Sequence, residues 1–176
     1  MIAIDIETTG LNPKEDKITE IAGVRFEGNV VLDEFQSLVN PNRPIPQNVI
    51  HLTHITNDMV RGAPQVLEVI EKFGAFVGRE PVVGHNIAFD LSFLRQGGIL
   101  RGNPAYDTYA LASVLIPDAP RYNLAALAQQ LEIPVSTAHR ALADCQTTFR
   151  VFNKLIERAY EDRKSTRLNS SHQPLS

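Results

Sequence analysis

Six residues near the start of the chain, DIETTG (5–10), constrain it more than any other stretch. Along a β-strand, residues two apart point to the same face. Asp5 and Glu7 therefore project together, while Ile4 and Ile6 project to the opposite side. One side of this strand belongs against an apolar layer, and the other must carry two carboxylates in close company. Two acids so placed raise each other's pKa unless a cation neutralises them. Hard oxygen donors suit Mg²⁺ or Mn²⁺, and the chain has no Cys/His cluster at zinc spacing. Taken alone, the stretch also reads as a solvated strand end with incidental acids.

The rest of the composition agrees with one soluble globular domain. At 176 residues and 43% hydrophobic, the chain can bury one normal core. No apolar run approaches the roughly 18–20 residues needed to span a bilayer. The N-terminus shows no basic region followed by an apolar stretch. Cys145 has no partner for an internal disulfide and reads as a small buried helix residue, which suits a reducing compartment. The expectation is a cytoplasmic protein with no membrane attachment. A net charge of −3 argues against broad electrostatic adhesion to nucleic acid. A chain of this charge that handles phosphates must find its positive charge outside its surface lysines, which again points to metal.

Residues 2–6 predict a short strand, and 18–26 with 30–39 predict two more, joined as a hairpin through Glu27–Gly28–Asn29. NPNRPIPQN (40–48) is too proline-rich for regular structure and reads as loop. Val66, Val69, Ile70, Phe73 and Val77 follow helical spacing, with Pro64 suited to the first turn. A short strand at 81–84 precedes a helix for which Asn86 is the expected cap and Gly97–Gly98 the expected end. A brief strand near 105–107 leads into a helix through Leu115, and Asn123 caps another carrying Leu124, Leu127, Ala128 and Leu131. The last helix is expected from His139 or Arg140 to Tyr160. An antiparallel hairpin followed by alternating strands and helices implies a three-layer α/β fold with a mixed sheet. Residues 162–176 change character: they are polar, lack periodicity, and resemble the translation of a sequencing-library adapter. The domain is therefore read as 1–161, with 162–176 a non-native, disordered read-through tail and the natural chain expected to continue past 161 in its place.

Two further acids stand in telling company. In GHNIAFDLSFL (84–94), Asp90 lies in the first turn of an otherwise apolar helix, on the same face as Asn86. In isolation that acid simply favours the helix dipole, and His85 reads as structural. In HRALADC (139–145), Asp144 lies among Ala141, Leu142 and Ala143, small enough for close packing on a sheet. His139 is five positions earlier, about 140° around a helix axis. It therefore belongs at the helix start or in the preceding loop, free to turn toward a site.

Together, DIETTG, HNIAFD and HRALAD in that order resemble the DnaQ-like exonucleases of the DEDDh class, the proofreading-subunit relatives. Where a sister class carries a tyrosine, this chain has Arg140, which favours the histidine class. The resemblance covers about residues 1–160. It implies a ribonuclease-H-like three-layer fold with a mainly five-stranded mixed sheet flanked by helices. It also implies a metal-dependent 3′→5′ exonuclease that releases nucleoside 5′-monophosphates from the 3′ end of single-stranded DNA, in replication proofreading or repair. Asp5, Glu7 and Asp144 would then hold one divalent cation, Asp5 and Asp90 a second, and His139 would be the general base. Thr8 is implied to meet the 3′-terminal nucleotide, Leu11 to wedge against the last base, and Asn86 to stand beside them. Phe89 either packs beneath the terminal sugar or base or belongs to the core. HLTHIT (51–56), with Thr53, resembles a loop lining the nucleotide pocket, although glycine is usual at His54. Asp107 reads as a helix cap outside the site. The resemblance also implies a partner or fused region that is a DNA polymerase or a helicase, the fused types being closer in pattern. Two alternatives stand beside this reading: an exoribonuclease or oligoribonuclease of the same class, and a non-catalytic nucleic-acid-binding module.

Overall fold

The computed structural model describes residues 1–135 and 140–170, the side chains of 162 and 165–170 excepted. Strand β1 (Ile2–Thr8) is central, and the hairpin β2 (Ile18–Glu27) and β3 (Val30–Leu38) pairs with it on one side. Two short helices, α1 (Gln47–Thr53) and α2 (Asn57–Arg61), lead to α3 (Val66–Val77). Then come β4 (Val82–Gly84), α4 (Ala88–Leu94), β5 (Ala105–Asp107), α5 (Thr108–Leu115), α6 (Leu124–Gln130) and α7 (Ala141–Ser170). The sheet order is β3-β2-β1-β4-β5, with β1–β2 and β2–β3 antiparallel and β1–β4 and β4–β5 parallel. This is the mixed five-stranded sheet expected from the sequence.

Alternation along the strands sorts the layers. Ile2, Ile4 and Ile6 of β1 pack with Val69, Ile70 and Phe73 of α3 and with Leu91 and Leu94 of α4. Ala3, Ala22 and Val83 face the other way, onto Ala141, Cys145 and Phe149 of α7. Small residues on both sides of that second contact let α7 lie close to the sheet. Helices α5 and α6 close over α7 through Ala112, Leu127, Ala128, Val151 and Leu155. Cys145 is fully buried here, as its reading predicts.

Several local expectations are corrected. The proline-rich loop ends at Pro46, where α1 begins, so HLTHIT spans the end of one helix and the entry to the next. His54 terminates α1 with φ +58°, the left-handed conformation that glycine adopts without cost. That backbone demand explains why glycine is the usual residue there. Pro64 precedes α3 rather than joining its first turn: Gln65 is the N-cap, and the Pro64 carbonyl accepts Asn40 N–H at 2.9 Å. Asn86 does not cap α4. It takes φ +57°, its N–H donates to Asp107 at 3.0 Å, and α4 starts two residues later without a side-chain cap. Helix α4 stops at Leu94, ahead of Gly97–Gly98. Helix α7 runs on to Ser170, so 162–170, expected to be disordered, are helical here. Adding residues to a helix already anchored by packing costs little, because nucleation has been met upstream.

Candidate active site

The carboxyl end of β1 is where the acids meet. Asp5 and Glu7 lie on the α7 face, in register with Ala22 and Glu20 of β2. Asp144, one turn into α7, reaches the same place, and the carboxylate oxygens of Asp5, Glu7 and Asp144 all lie within 4.8 Å of one another. All three are half-buried. Parallel pairing between β1 and β4 runs only through Ile2–Val82 and Ala3–Val83. Beyond it, the Ile6 N–H on that edge is met by Asp90, whose Oδ1 accepts it at 3.0 Å. Asp90 is 3% exposed, so this bond anchors a buried carboxylate beside Asp5. A crevice at the carboxyl ends of parallel strands is where open α/β sheets bind ligands.

Gly84 makes the approach of α4 possible. A Cβ there would lie 2.8 Å from the Ile87 side chain, so any larger residue would push the β4–α4 turn outward and carry Asp90 with it.

The electrostatics are those of a crowded anionic cluster. Burial raises the Asp5 pKa well above the ordinary carboxylate range, and Asp90, Glu7, Asp144 and Glu20 raise it further. Glu7 is pushed up to about 8, first by burial and then by Asp144, Glu20 and Asp90, with Arg140 opposing. Burial also brings Asp90 to about 8, against the lowering effect of the Ile6 hydrogen bond. An array of oxygen donors that resist ionisation together suits a hard divalent cation.

The remaining candidates separate into three groups. Thr8 and Leu11 belong to the β1–β2 connection, which folds back on itself. The Thr8 hydroxyl donates to Gly10 O at 2.6 Å, and Thr9 Oγ1 donates to Asp16 at 3.0 Å. Asp16 also accepts Asn12 N–H at 2.9 Å. A Cβ on Gly10 would sit 2.5 Å from that Asp16 carboxylate, which accounts for the glycine of the motif. This closed loop presents Leu11, 83% exposed, as an apolar tip. Asn86 is exposed, and Phe89 is half-buried with its ring 5.2 Å from Phe93, at the margin of the core. Thr53 spends its hydroxyl on nearby backbone, donating to Val49 O at 3.0 Å and accepting Ile55 N–H from beyond the helix end at 3.2 Å. His139 lies outside the described residues.

Two supporting readings hold. Asp107 caps α5 by accepting Tyr109 N–H at 2.9 Å. His85 is tied by Nδ1 to the Thr108 hydroxyl at 2.9 Å, and burial lowers its pKa, as expected of a structural histidine. Sequence reasoning missed Glu20 and Arg140. Glu20 is a lone acid in the apolar face Glu20–Ala22–Val24–Phe26 of β2, wholly buried and joined to Arg140 at 2.7 Å. The acid within an apolar alternation was a visible signal; its distant partner was not.

Comparison with known proteins points one way. The family described as "Exonuclease" matches residues 2–152. The PolC-type DNA polymerase III of Oceanobacillus iheyensis is 37% identical over 172 residues, 95% of this chain. That of Bacillus subtilis is 35% identical over 166 residues, 91% of this chain. The chain spans only 12% of the length of each of these relatives. Exonuclease X in complex with 5′-overhanging duplex DNA superimposes with a TM-score of 0.73 and 31% identity, covering 89% of this chain and 90% of that one. Escherichia coli exonuclease I in complex with a dT13 oligonucleotide shares the fold, with a TM-score of 0.78 at 18% identity, over 93% of this chain and 42% of that one.

Proposed function

The chain belongs to the exonuclease family, and from that premise we propose that residues 1–161 form a domain that degrades DNA from its 3′ end, releasing nucleoside 5′-monophosphates. The observation that carries this reading is the convergence of Asp5, Glu7 and Asp144 within 4.8 Å, with Asp90 buried beside them. The donor set fits Mg²⁺ or Mn²⁺: it is all oxygen, crowded, and held partly out of water. Asp5, Glu7 and Asp144 would hold one cation, and Asp5 with Asp90 a second. When bound, such ions supply positive charge to the attacking and leaving oxygens of a phosphodiester.

The chain's own groups do the rest. His139 takes the proton from the attacking water, a task suited to an imidazole with a pKa near 6.5. Arg140, at the start of α7, is fixed to Glu20 beside the acids. The Thr8–Leu11 loop, closed by Asp16, receives the terminal nucleotide, with Leu11 against the last base. Asn86 and Phe89 border that nucleotide from α4's side, and Thr53 shapes the α1 end of the pocket through its backbone contacts.

DNA is favoured over RNA because the similar proteins are DNA polymerases and a nuclease solved with DNA. The polymerase relatives also support proofreading in the cytoplasm, beside or fused to a polymerase. The test is digestion of 3′-labelled single-stranded DNA and the matching RNA with Mg²⁺, Mn²⁺ or EDTA. Stepwise mononucleotide release from DNA with metal, and none with EDTA, is the expected result. Metal-independent cleavage, internal cuts, or faster RNA digestion would each overturn the corresponding part.

A further inference from the structure

Glu20 is the least exposed acid near the site, and four hydrogen bonds fill its carboxylate. Its Oε1 accepts Arg140 Nη2 at 2.7 Å and Gln36 Nε2 at 2.8 Å. Its Oε2 accepts Arg140 Nε and the Ala141 N–H, each at 3.1 Å. Arg140 is also the residue on which α7 begins, since its carbonyl accepts Asp144 N–H at 3.0 Å. One buried carboxylate on β2 thus grips both the side chain just before α7 and the first free amide of that helix, a group every helix leaves unpaired at its start.

We propose that the Glu20–Arg140 pair is a positioning element of the active site, fixing the first turn of α7 so that Asp144 is presented to the Asp5–Glu7 strand. The inference rests on the nuclease reading for what is being positioned. Its geometry is specific. Asp144 follows Arg140 by about one helical turn, so the anchor point of α7 sets how closely Asp144 approaches Asp5 and Glu7. A two-point guanidinium–carboxylate fork fixes direction as well as distance, which a lysine ammonium does not. Glu20 faces Glu7 directly across the β1–β2 ladder, so helix and acid strand are registered through a single pair of side chains.

The test uses Arg140→Lys, which keeps the charge and loses the fork, and the double variant Glu20→Gln/Arg140→Gln, which leaves no unpaired buried charge. Each is measured for kcat and KM on 3′-labelled single-stranded DNA and, separately, for Mn²⁺ affinity by electron paramagnetic resonance titration. Groups that orient metal ligands typically contribute about 10–100-fold in affinity or activity. Arg140→Lys should lower kcat about tenfold and weaken Mn²⁺ binding, with KM within about twofold. The double variant should lower kcat no further than the product of one broken link, because the two residues act as a unit. Unchanged kcat and Mn²⁺ affinity in Arg140→Lys would overturn the positioning role, and this variant decides alone should the double variant not fold. Asp5→Ala separates the two levels. If it loses Mn²⁺ and turnover while Arg140→Lys keeps both, only the positioning role is lost. If Asp5→Ala keeps both, the nuclease reading fails and this inference with it.

Discussion

Glu7 and Glu20 face each other across β1 and β2, on the same side of the same sheet, and the fold treats them in opposite ways. Glu20 has a guanidinium fork, a backbone amide and a side-chain amide. Glu7 has mainly other acids: burial, Asp144, Glu20 and Asp90 push it up to about 8, and Arg140 only opposes them. Like charges directly opposite on adjacent strands are destabilising. The fold answers that repulsion on one strand only. The difference separates electrostatics that the chain completes for itself from electrostatics that it leaves to the proposed cation.

The largest expected effect tests the unanswered side. Asp5→Asn should lower kcat by about 1,000-fold or more, as removal of a group central to the chemistry does. It should also raise the melting temperature of the metal-free protein, because an amide needs no proton to stay neutral in this buried cluster. Each kcal/mol of relieved cost corresponds to about 2–4 °C for a chain of this size. Calorimetry in EDTA beside a turnover assay gives both readings. A variant both inactive and less stable would mean that Asp5 is as well satisfied as Glu20, and the contrast would be gone.

Glu20→Ala probes the answered side and should go the other way. Removing one partner of a buried ion pair typically costs about 3–5 kcal/mol, since the remaining charge is left without its counterpart. Arg140 is 30% exposed at its side chain and can turn partly to water, which places the expected loss at the lower end of that range. Urea unfolding of the two variants side by side would show opposite signs for two acids on neighbouring strands.

A smaller effect should follow pH. Glu7 and Asp90 titrate near 8 in the fold, above the ordinary carboxylate values of an unfolded chain. Groups raised in this way favour the folded state fully at low pH, and that contribution is lost as pH rises from about 4 toward 8. In EDTA the melting temperature should therefore decline across this window. With Mg²⁺ or Mn²⁺ the decline should flatten or reverse, because the cation binds the ionised form. An identical slope with and without metal would remove the cation from the comparison.

Legibility from sequence followed the range of the interactions. The face shared by Asp5 and Glu7 was readable because strand periodicity is local, and the caps Asp107 and Asn123 were readable because a cap acts within three residues. Helices α1 and α2, of 7 and 5 residues, are too short to display a period, and α1 begins beside a proline. Asn86 was misassigned because its role is a left-handed turn that only the backbone angle reveals. The three acidic motifs marked Asp5, Glu7, Asp90 and Asp144 as candidates, yet nothing in them told that Asp90 is held by the Ile6 amide. The Glu20–Arg140 pair spans 120 positions and leaves no periodic trace at all.

The smallest effect asks which of Glu20's donors makes the difference. Gln36 reaches Oε1 from β3 at 2.8 Å, diagonally across the ladder from its register partner Ala22. Its side chain is exposed, and water can take its place. Gln36→Leu should therefore cost about 1 kcal/mol, a typical net value for one hydrogen bond, and leave kcat unchanged. Arg140 and the Ala141 amide would still hold both carboxylate oxygens. If Gln36→Leu instead costs as much stability as Glu20→Ala, the carboxylate depends on having every bond filled and not on its cation. The contrast with Glu7 would then be one of hydrogen-bond saturation, and a divalent ion would not be the natural completion of the acidic side.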